Sequence, residues 1–78
     1  MLPECQLFGT SGCHLCELAQ DALIDLIERG LWVEVIDISE DMALLEALQH
    51  RIPVLRRLDT GAELGWPFDM DQVAHFLS

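Results

Sequence analysis

Two cysteines separated by two residues are the strongest chemical signal in this 78-residue sequence. They lie in the segment Cys13-His14-Leu15-Cys16, between a short apolar stretch and a longer amphipathic one. Three residues of helical rise would place their Cα atoms roughly 5 Å apart, which is within the span of a disulfide. A thiol pair at the junction of a strand and a helix therefore predicts reversible redox chemistry.

The two cysteines are expected to differ in exposure and in role. On a helical wheel Cys16 falls within the apolar arc of the following helix, whereas Cys13 lies just outside it. Unpaired N–H groups at the helix start favour a thiolate on Cys13 by about 1 kcal/mol, which exceeds the few tenths of a kcal/mol that repulsion from Glu17 costs. We predict that Cys13 attacks and Cys16 resolves. His14 is an optional support, because an exposed imidazole is mostly neutral at pH 7.

The residues around the pair alternate between strand and helix patterns. Apolar residues at helical spacing after Cys13 predict a first helix that ends near Gly30, and Ser39 with Asp41 predicts a second helix through Gln49. A capping box of Asp69 and Gln72 predicts the last helix. The apolar stripe of the first helix contains Leu15, Leu18, Ala19, Ala22, Leu23, Leu26 and Ile27. The predicted strands are 5–8, 32–37, 54–58 and 62–64.

The last two strands read as a hairpin. If 59–61 is the whole loop, Arg57 faces Glu63 across the strands. The element order is then β-α-β-α-β-β-α, which favours one α/β domain over residues 1–78 with a mixed sheet covered by helices.

Composition narrows the class of protein. Fourteen acidic residues against four arginines give a net charge of −10, so we expect no nucleic-acid partner. The first basic residue is Arg29 and the longest uncharged run is 5–16, so we expect no export signal, no membrane span and a cytoplasmic location. Cys5 alternates along a strand and is expected in the core, while His50 and His75 are expected to face solvent.

The sequence resembles the small bacterial glutaredoxin-like family within the thioredoxin superfamily. The segments that carry the resemblance are 7–19, 52–55 and 65–69, so it covers almost the whole chain. It implies a thioredoxin-like fold with a four-stranded sheet in the order 2-1-3-4 flanked by three helices. It also implies a cis peptide bond before Pro53, with that loop facing the cysteine pair.

The resemblance is weaker at the positions that hold glutathione in glutaredoxins. Thr10 stands where the family has a lysine, Arg51 stands where it has a threonine, and Gly65-Trp66-Pro67 replaces a glycine-rich turn. The thiol chemistry carries over, whereas glutathione specificity does not. Arg51, Ile52 and Trp66 are the expected substrate-contacting residues, and Arg51 leaves glutathione open as the reductant.

These observations together predict a thiol-disulfide oxidoreductase of the glutaredoxin or thioredoxin type. We expect a monomer with no bound cofactor, acting on protein or small-molecule disulfides and regenerated by a cellular thiol reductant. The face around Cys13 is expected to be a flat docking surface. Two other classes stay open, namely a thioredoxin-fold interaction module without turnover and a metal carrier that uses Cys13 and Cys16 as ligands.

Overall fold

The structure is a computed structural model that describes residues 2–78. Its strands are β1 (Cys5–Gly9), β2 (Val33–Asp37), β3 (Val54–Arg57) and β4 (Glu63–Gly65). Its helices are α1 (His14–Glu28), α2 (Met42–Leu48) and α3 (Met70–Leu77), with a 3₁₀ turn at Ile38–Glu40 before α2. The four strands form one sheet in the order 2-1-3-4, in which β1 is parallel to β2 and antiparallel to β3. The predicted fold class, element order and sheet order are confirmed.

The central strand β1 is buried on both faces because it carries apolar side chains on both. Cys5 and Leu7 join a core cluster that includes residues of α1 and α3, whereas Phe8 packs in a second cluster with Ile38 and Leu48. Successive side chains of a strand point to opposite faces, so α1 and α3 cover one face and α2 covers the other. Burying a large apolar side chain such as Leu7 contributes roughly 1.5–3 kcal/mol.

Helix α1 buries a narrower stripe than its sequence predicts. Its buried residues are Cys16, Ala19, Leu23 and Leu26. Leu15, Leu18 and Ile27 belong to the predicted apolar stripe but are 45%, 38% and 42% exposed. A four-stranded sheet offers α1 contact along one strip only, so the edges of the apolar arc remain in solvent. The helix ends as predicted, with Gly30 at a positive φ of 110°.

The starts of the other two helices follow from acidic side chains. The Asp41 carboxylate accepts hydrogen bonds from the backbone N–H groups of Ala43 and Leu44 and so caps α2. At α3 the predicted capping box is present, because Asp69 accepts from the Gln72 N–H and the Gln72 side chain accepts from the Asp69 N–H. Ser39 does not cap α2, since it belongs to the 3₁₀ turn and donates to Asp37.

The predicted hairpin register is wrong by one residue. Arg56, not Arg57, lies opposite Glu63, and Leu55 lies opposite Leu64. The loop spans residues 58–62 and not 59–61. Pairing Arg57 with Glu63 would have set Leu64 against Arg56, whereas the observed register sets leucine against leucine and arginine against glutamate. Since a one-residue slip moves every side chain to the other face, burial of Leu55 and Leu64 decides the register.

Candidate functional site

The cysteine pair lies at the junction between β1 and α1. Cys13 and Cys16 form a disulfide with their Cα atoms 5.3 Å apart. Cys13 is the N-cap of α1, and its Sγ accepts a hydrogen bond of 3.2 Å from the backbone N–H of Cys16. Cys13 is half-buried, while Cys16 is only 5% exposed. The structure thus shows the predicted difference in exposure, and it aims a helix N–H at the more exposed sulfur.

Gly9 allows the buried cysteine to lie against the end of β1. A Cβ built at Gly9 would come within 3.0 Å of Cys16 Sγ and 3.2 Å of Cys16 Cβ. Any other residue would therefore crowd the sulfur. The spacing of residues along the chain does not predict this packing role of Gly9.

The register of β1 and β3 places Pro53 near the end of β1. Phe8 pairs with Val54 at the end of the antiparallel ladder between β1 and β3, so one more step of that register sets Pro53 beside Gly9. Pro53 is buried, and the Ile52–Pro53 peptide is cis, as the family resemblance implies. The loop that contains Pro53 therefore borders the strand end from which the chain runs to the cysteine pair.

His14 and Glu17 face solvent next to the pair. Their side chains are 79% and 73% exposed, and His14 Nδ1 lies 3.8 Å from Glu17 Oε2. An exposed contact of this kind contributes little to stability, because solvent screens it. The structure gives His14 a place at the start of α1 but no buried partner that would fix it.

Arg51 takes part in an ion-pair cluster with Glu63 and Arg56. Its Nη2 donates to Glu63 Oε1 at 2.8 Å, while Arg56 donates through two nitrogens to Glu63 Oε2 at 2.7 and 3.0 Å. These bonds, first that from Arg51, lower the pKa of Glu63 below its ordinary value of 4.5. One carboxylate therefore holds two guanidinium groups, so this triad, which the sequence pattern did not predict, keeps one net positive charge.

Trp66 lies next to the Pro53 loop and is half-buried. Its backbone N–H donates to the Pro53 carbonyl at 3.1 Å. The indole meets Phe68 edge-on, with ring centroids 5.1 Å apart and an interplanar angle of 74°. Ile52 is also half-buried, on the opposite core cluster. The Trp66–Pro67 peptide is a second cis bond, which was not predicted from the sequence.

A cavity of about 210 Å³ borders the disulfide on the side of β2. The residues that line it are Leu7, Gly9, Thr10, Ser11, Cys16, Gln20, Val35, Ile36 and Asp37. The surface on this side of the disulfide is therefore concave, and none of the residues expected to form a docking face around Cys13 lines it. Asp37 could have been found from the sequence, because the carboxyl ends of parallel strands meet at one edge of a sheet and β1 and β2 are parallel.

The remaining candidates lie away from the pair. Cys5 is fully buried, as predicted, and burial raises the pKa of its thiol. His50 and His75 are exposed, as predicted. Within residues 2–78, no three His, Cys, Asp or Glu side chains are grouped closely enough to hold a metal ion. In the same part of the chain, no helix has the length and apolar character needed to cross a bilayer.

Comparison with known proteins gives two kinds of match. Residues 4–78 match the family described as glutaredoxin-like domain (DUF836). Protein XcR50 from X. campestris, solved by X-ray crystallography, is 37% identical, with a TM-score of 0.83 over 94% of this chain and 93% of that one. Protein Ne2328 from Nitrosomonas europaea, solved by NMR, is 30% identical, with a TM-score of 0.82 over 100% of this chain and 94% of that one. No curated protein matches the sequence.

Proposed function

The chain belongs to the glutaredoxin-like domain family, its cysteine pair gives it a redox role, and on that premise we propose that it is a thiol-disulfide oxidoreductase. The observation that carries the proposal is the asymmetry within one closed pair. Cys13 is half-buried at the start of α1, and Cys16 is 5% exposed three residues later. In a dithiol exchange the accessible thiol attacks the substrate disulfide, and a neighbouring second thiol resolves the mixed disulfide.

The reaction proceeds in two exchanges that balance internally. The Cys13 thiolate attacks one sulfur of a substrate disulfide, forms a mixed disulfide and releases the other sulfur as a thiolate that takes up a proton. Cys16 loses its proton, attacks Cys13 Sγ and expels the second substrate thiol. The substrate gains two electrons and two protons, and the protein ends with the Cys13–Cys16 disulfide. A cellular thiol reductant restores the dithiol by the same exchange in reverse.

The helix start supports the attacking role of Cys13. The Cys16 N–H donates to Cys13 Sγ at 3.2 Å, and the same donor would stabilise a thiolate on Cys13 before attack. The resolving thiol needs no such stabilisation, because the mixed disulfide holds its target close by.

The reductant that regenerates the dithiol is inferred from the surroundings of Arg51. Arg51 is held by Glu63, so it is not free to bind a glutathione carboxylate without breaking an ion pair. We propose that a protein thiol reductant regenerates the dithiol more efficiently than glutathione does. Turnover of one model disulfide, coupled in parallel to thioredoxin reductase with thioredoxin and to glutathione reductase with glutathione, distinguishes the two. Faster turnover in the glutathione arm contradicts the proposal.

The first prediction separates the roles of the two cysteines. Cys13→Ser removes the attacker and should abolish exchange, whereas Cys16→Ser should form a mixed disulfide that persists because nothing resolves it. Mass spectrometry of each variant after incubation with a disulfide peptide measures the trapped adduct. Comparable adducts on both variants would contradict the assignment, and full turnover by the Cys13→Ser variant would contradict the proposed function.

A further inference from the structure

The cavity beside Cys16 has no part in the exchange steps described above. It lies at the edge where β1 and β2 end, and its volume is about 210 Å³. Sites that enclose a drug-sized ligand measure roughly 300–1,000 Å³, so this cavity suits one amino-acid side chain better than a whole tripeptide. Because Cys16 is part of its wall, an occupant would lie next to the reacting disulfide.

The lining combines apolar walls with acceptor groups. Leu7 and Val35, which are partners across β1 and β2, supply the apolar surface, and Asp37 supplies a carboxylate. Both hydrogen bonds from Ser39 to this carboxylate go to Oδ1, at 2.9 and 2.7 Å, which leaves Oδ2 outside that interaction. The Ser39 hydroxyl, followed by its N–H, lowers the pKa of Asp37, so the group is ionised at neutral pH. A long aliphatic side chain with a cationic end matches both parts of such a site.

No arginine is among the residues that line the cavity. Arg51 and Arg56 are paired with Glu63, and Arg57 is paired with Asp59. Arg29 lies at the end of α1 opposite to Cys13. The net charge of −10 adds a long-range field that draws cations towards the protein and repels anions.

We propose that this cavity is a specificity subsite that takes the lysine or arginine side chain adjacent to the substrate's disulfide cysteine. The aliphatic stem packs against Leu7 and Val35, and the cationic end reaches Asp37. The proposal rests on the proposed function and narrows its substrate class to disulfides in basic peptide segments.

The test uses three symmetric disulfide peptides that differ only at the residue after cysteine, which is lysine, norleucine or glutamate. Norleucine has a lysine-like aliphatic stem without the charge. Pre-reduced protein supplies both electrons in a single turnover, and alkylation followed by mass spectrometry measures its oxidation. At about 0.15 M salt, where fields beyond roughly 8 Å are screened, we expect the lysine peptide to react at least 10-fold faster than the glutamate peptide. Norleucine should fall between them.

Matched variants separate the subsite from the overall charge. Asp37→Asn keeps an oxygen that can accept from Ser39 and should reduce the lysine-to-glutamate rate ratio at least threefold. Asp25→Asn removes the same charge from the exposed face of α1 and should leave the ratio unchanged. Thr10→Lys places a cation in the cavity lining and should favour the glutamate peptide.

The rates of the norleucine peptide distinguish failure of the subsite from failure of the proposed function. Equal rates for the three peptides, or equal effects of Asp37→Asn and Asp25→Asn, overturn the subsite while leaving the oxidoreductase intact, because the norleucine peptide still reports exchange. A protein that reduces none of the three peptides overturns the proposed function and the subsite with it.

Discussion

At the scale of single residues, the missing Cβ of Gly9 determines how closely β1 approaches the buried sulfur. The disulfide tethers Cys16 Sγ, so in the oxidised protein this atom is poorly able to move away from an added methyl group. Gly9 is thus a packing partner of the redox pair as well as the last residue of its strand.

Gly9→Ala should destabilise the oxidised protein. An added Cβ at 3.0 Å from Cys16 Sγ forces a shift that costs about 1–3 kcal/mol, as overpacking of a core does. Gly65→Ala is the matched control, because a Cβ there meets nothing within 4 Å. Chemical denaturation of both oxidised variants measures the effect. Equal free energies of unfolding for the two would show that Cys16 moves aside without cost.

Cys5→Ala should leave exchange intact and lower stability by roughly 1 kcal/mol, because it removes a fully buried sulfur from the core. Burial also keeps this thiol protonated, since it raises its pKa, so it is a poor nucleophile. Single-turnover oxidation and denaturation of the variant test the two statements. A reaction that stops without Cys5 would assign it a redox role.

The helical period of the sequence predicted that Cys13 is more exposed than Cys16, but it did not predict which residues surround the two cysteines. The contrast follows from a 3.6-residue period that places Cys16 among the apolar positions of α1. Gly9 acquires its role from the contact of β1 with α1, which spacing along the chain does not contain, whereas the position of Asp37 follows from the parallel pairing of β1 and β2.

At the scale of elements, the sequence pattern predicted that β3 and β4 form a hairpin but did not predict their register. Both registers set an arginine opposite Glu63, so charge alone did not discriminate between Arg56 and Arg57. Arg57 instead donates to Asp59 at 2.7 and 2.9 Å and to the Phe76 carbonyl at 2.7 Å, and so joins the hairpin to the end of α3. The capping box of α3 was predictable because its bonds are local, whereas the partner of Arg57 is 19 residues away.

Glu63→Gln tests the triad that the observed register creates. Because the folded-state pKa of Glu63 is lowered, first by Arg51 and then by Arg56, its ionised form stabilises the fold above the ordinary pKa of 4.5. This contribution is lost as the pH falls through the lowered value. We expect Glu63→Gln to cost up to about 1 kcal/mol at pH 7, since the pairs are partly exposed.

The matched control is Glu46→Gln, which removes one exposed charge from α2. Thermal unfolding between pH 7 and pH 2 compares both variants with the unaltered protein. The difference due to Glu63 should shrink as the solution is acidified. A difference that is unchanged across this range would show that the charge of Glu63 is not its source.

At the scale of the whole molecule, a small fold places recognition and core packing on the same residues. A chain of this size buries only about 60% of its unfolded surface, so few side chains are free to serve binding alone. Trp66 illustrates this double use, because it packs partly against the core cluster and also borders the Pro53 loop. Docking of a protein substrate and stability of the fold are therefore coupled at this position.

Trp66→Ala separates these two roles when Phe68→Leu is measured beside it. Both substitutions break the edge-on contact at 5.1 Å and should lower the free energy of unfolding, by about 0.5–1.5 kcal/mol for the aromatic pair alone. The two side chains differ in exposure, because Trp66 is half-buried whereas Phe68 is 4% exposed. If a protein disulfide docks on the indole, Trp66→Ala should lower kcat/KM for that substrate about 10-fold relative to a small disulfide, and Phe68→Leu should leave the ratio unchanged. Measured well below the unfolding temperatures, an identical ratio in both variants would show that Trp66 serves the core and that protein substrates dock elsewhere.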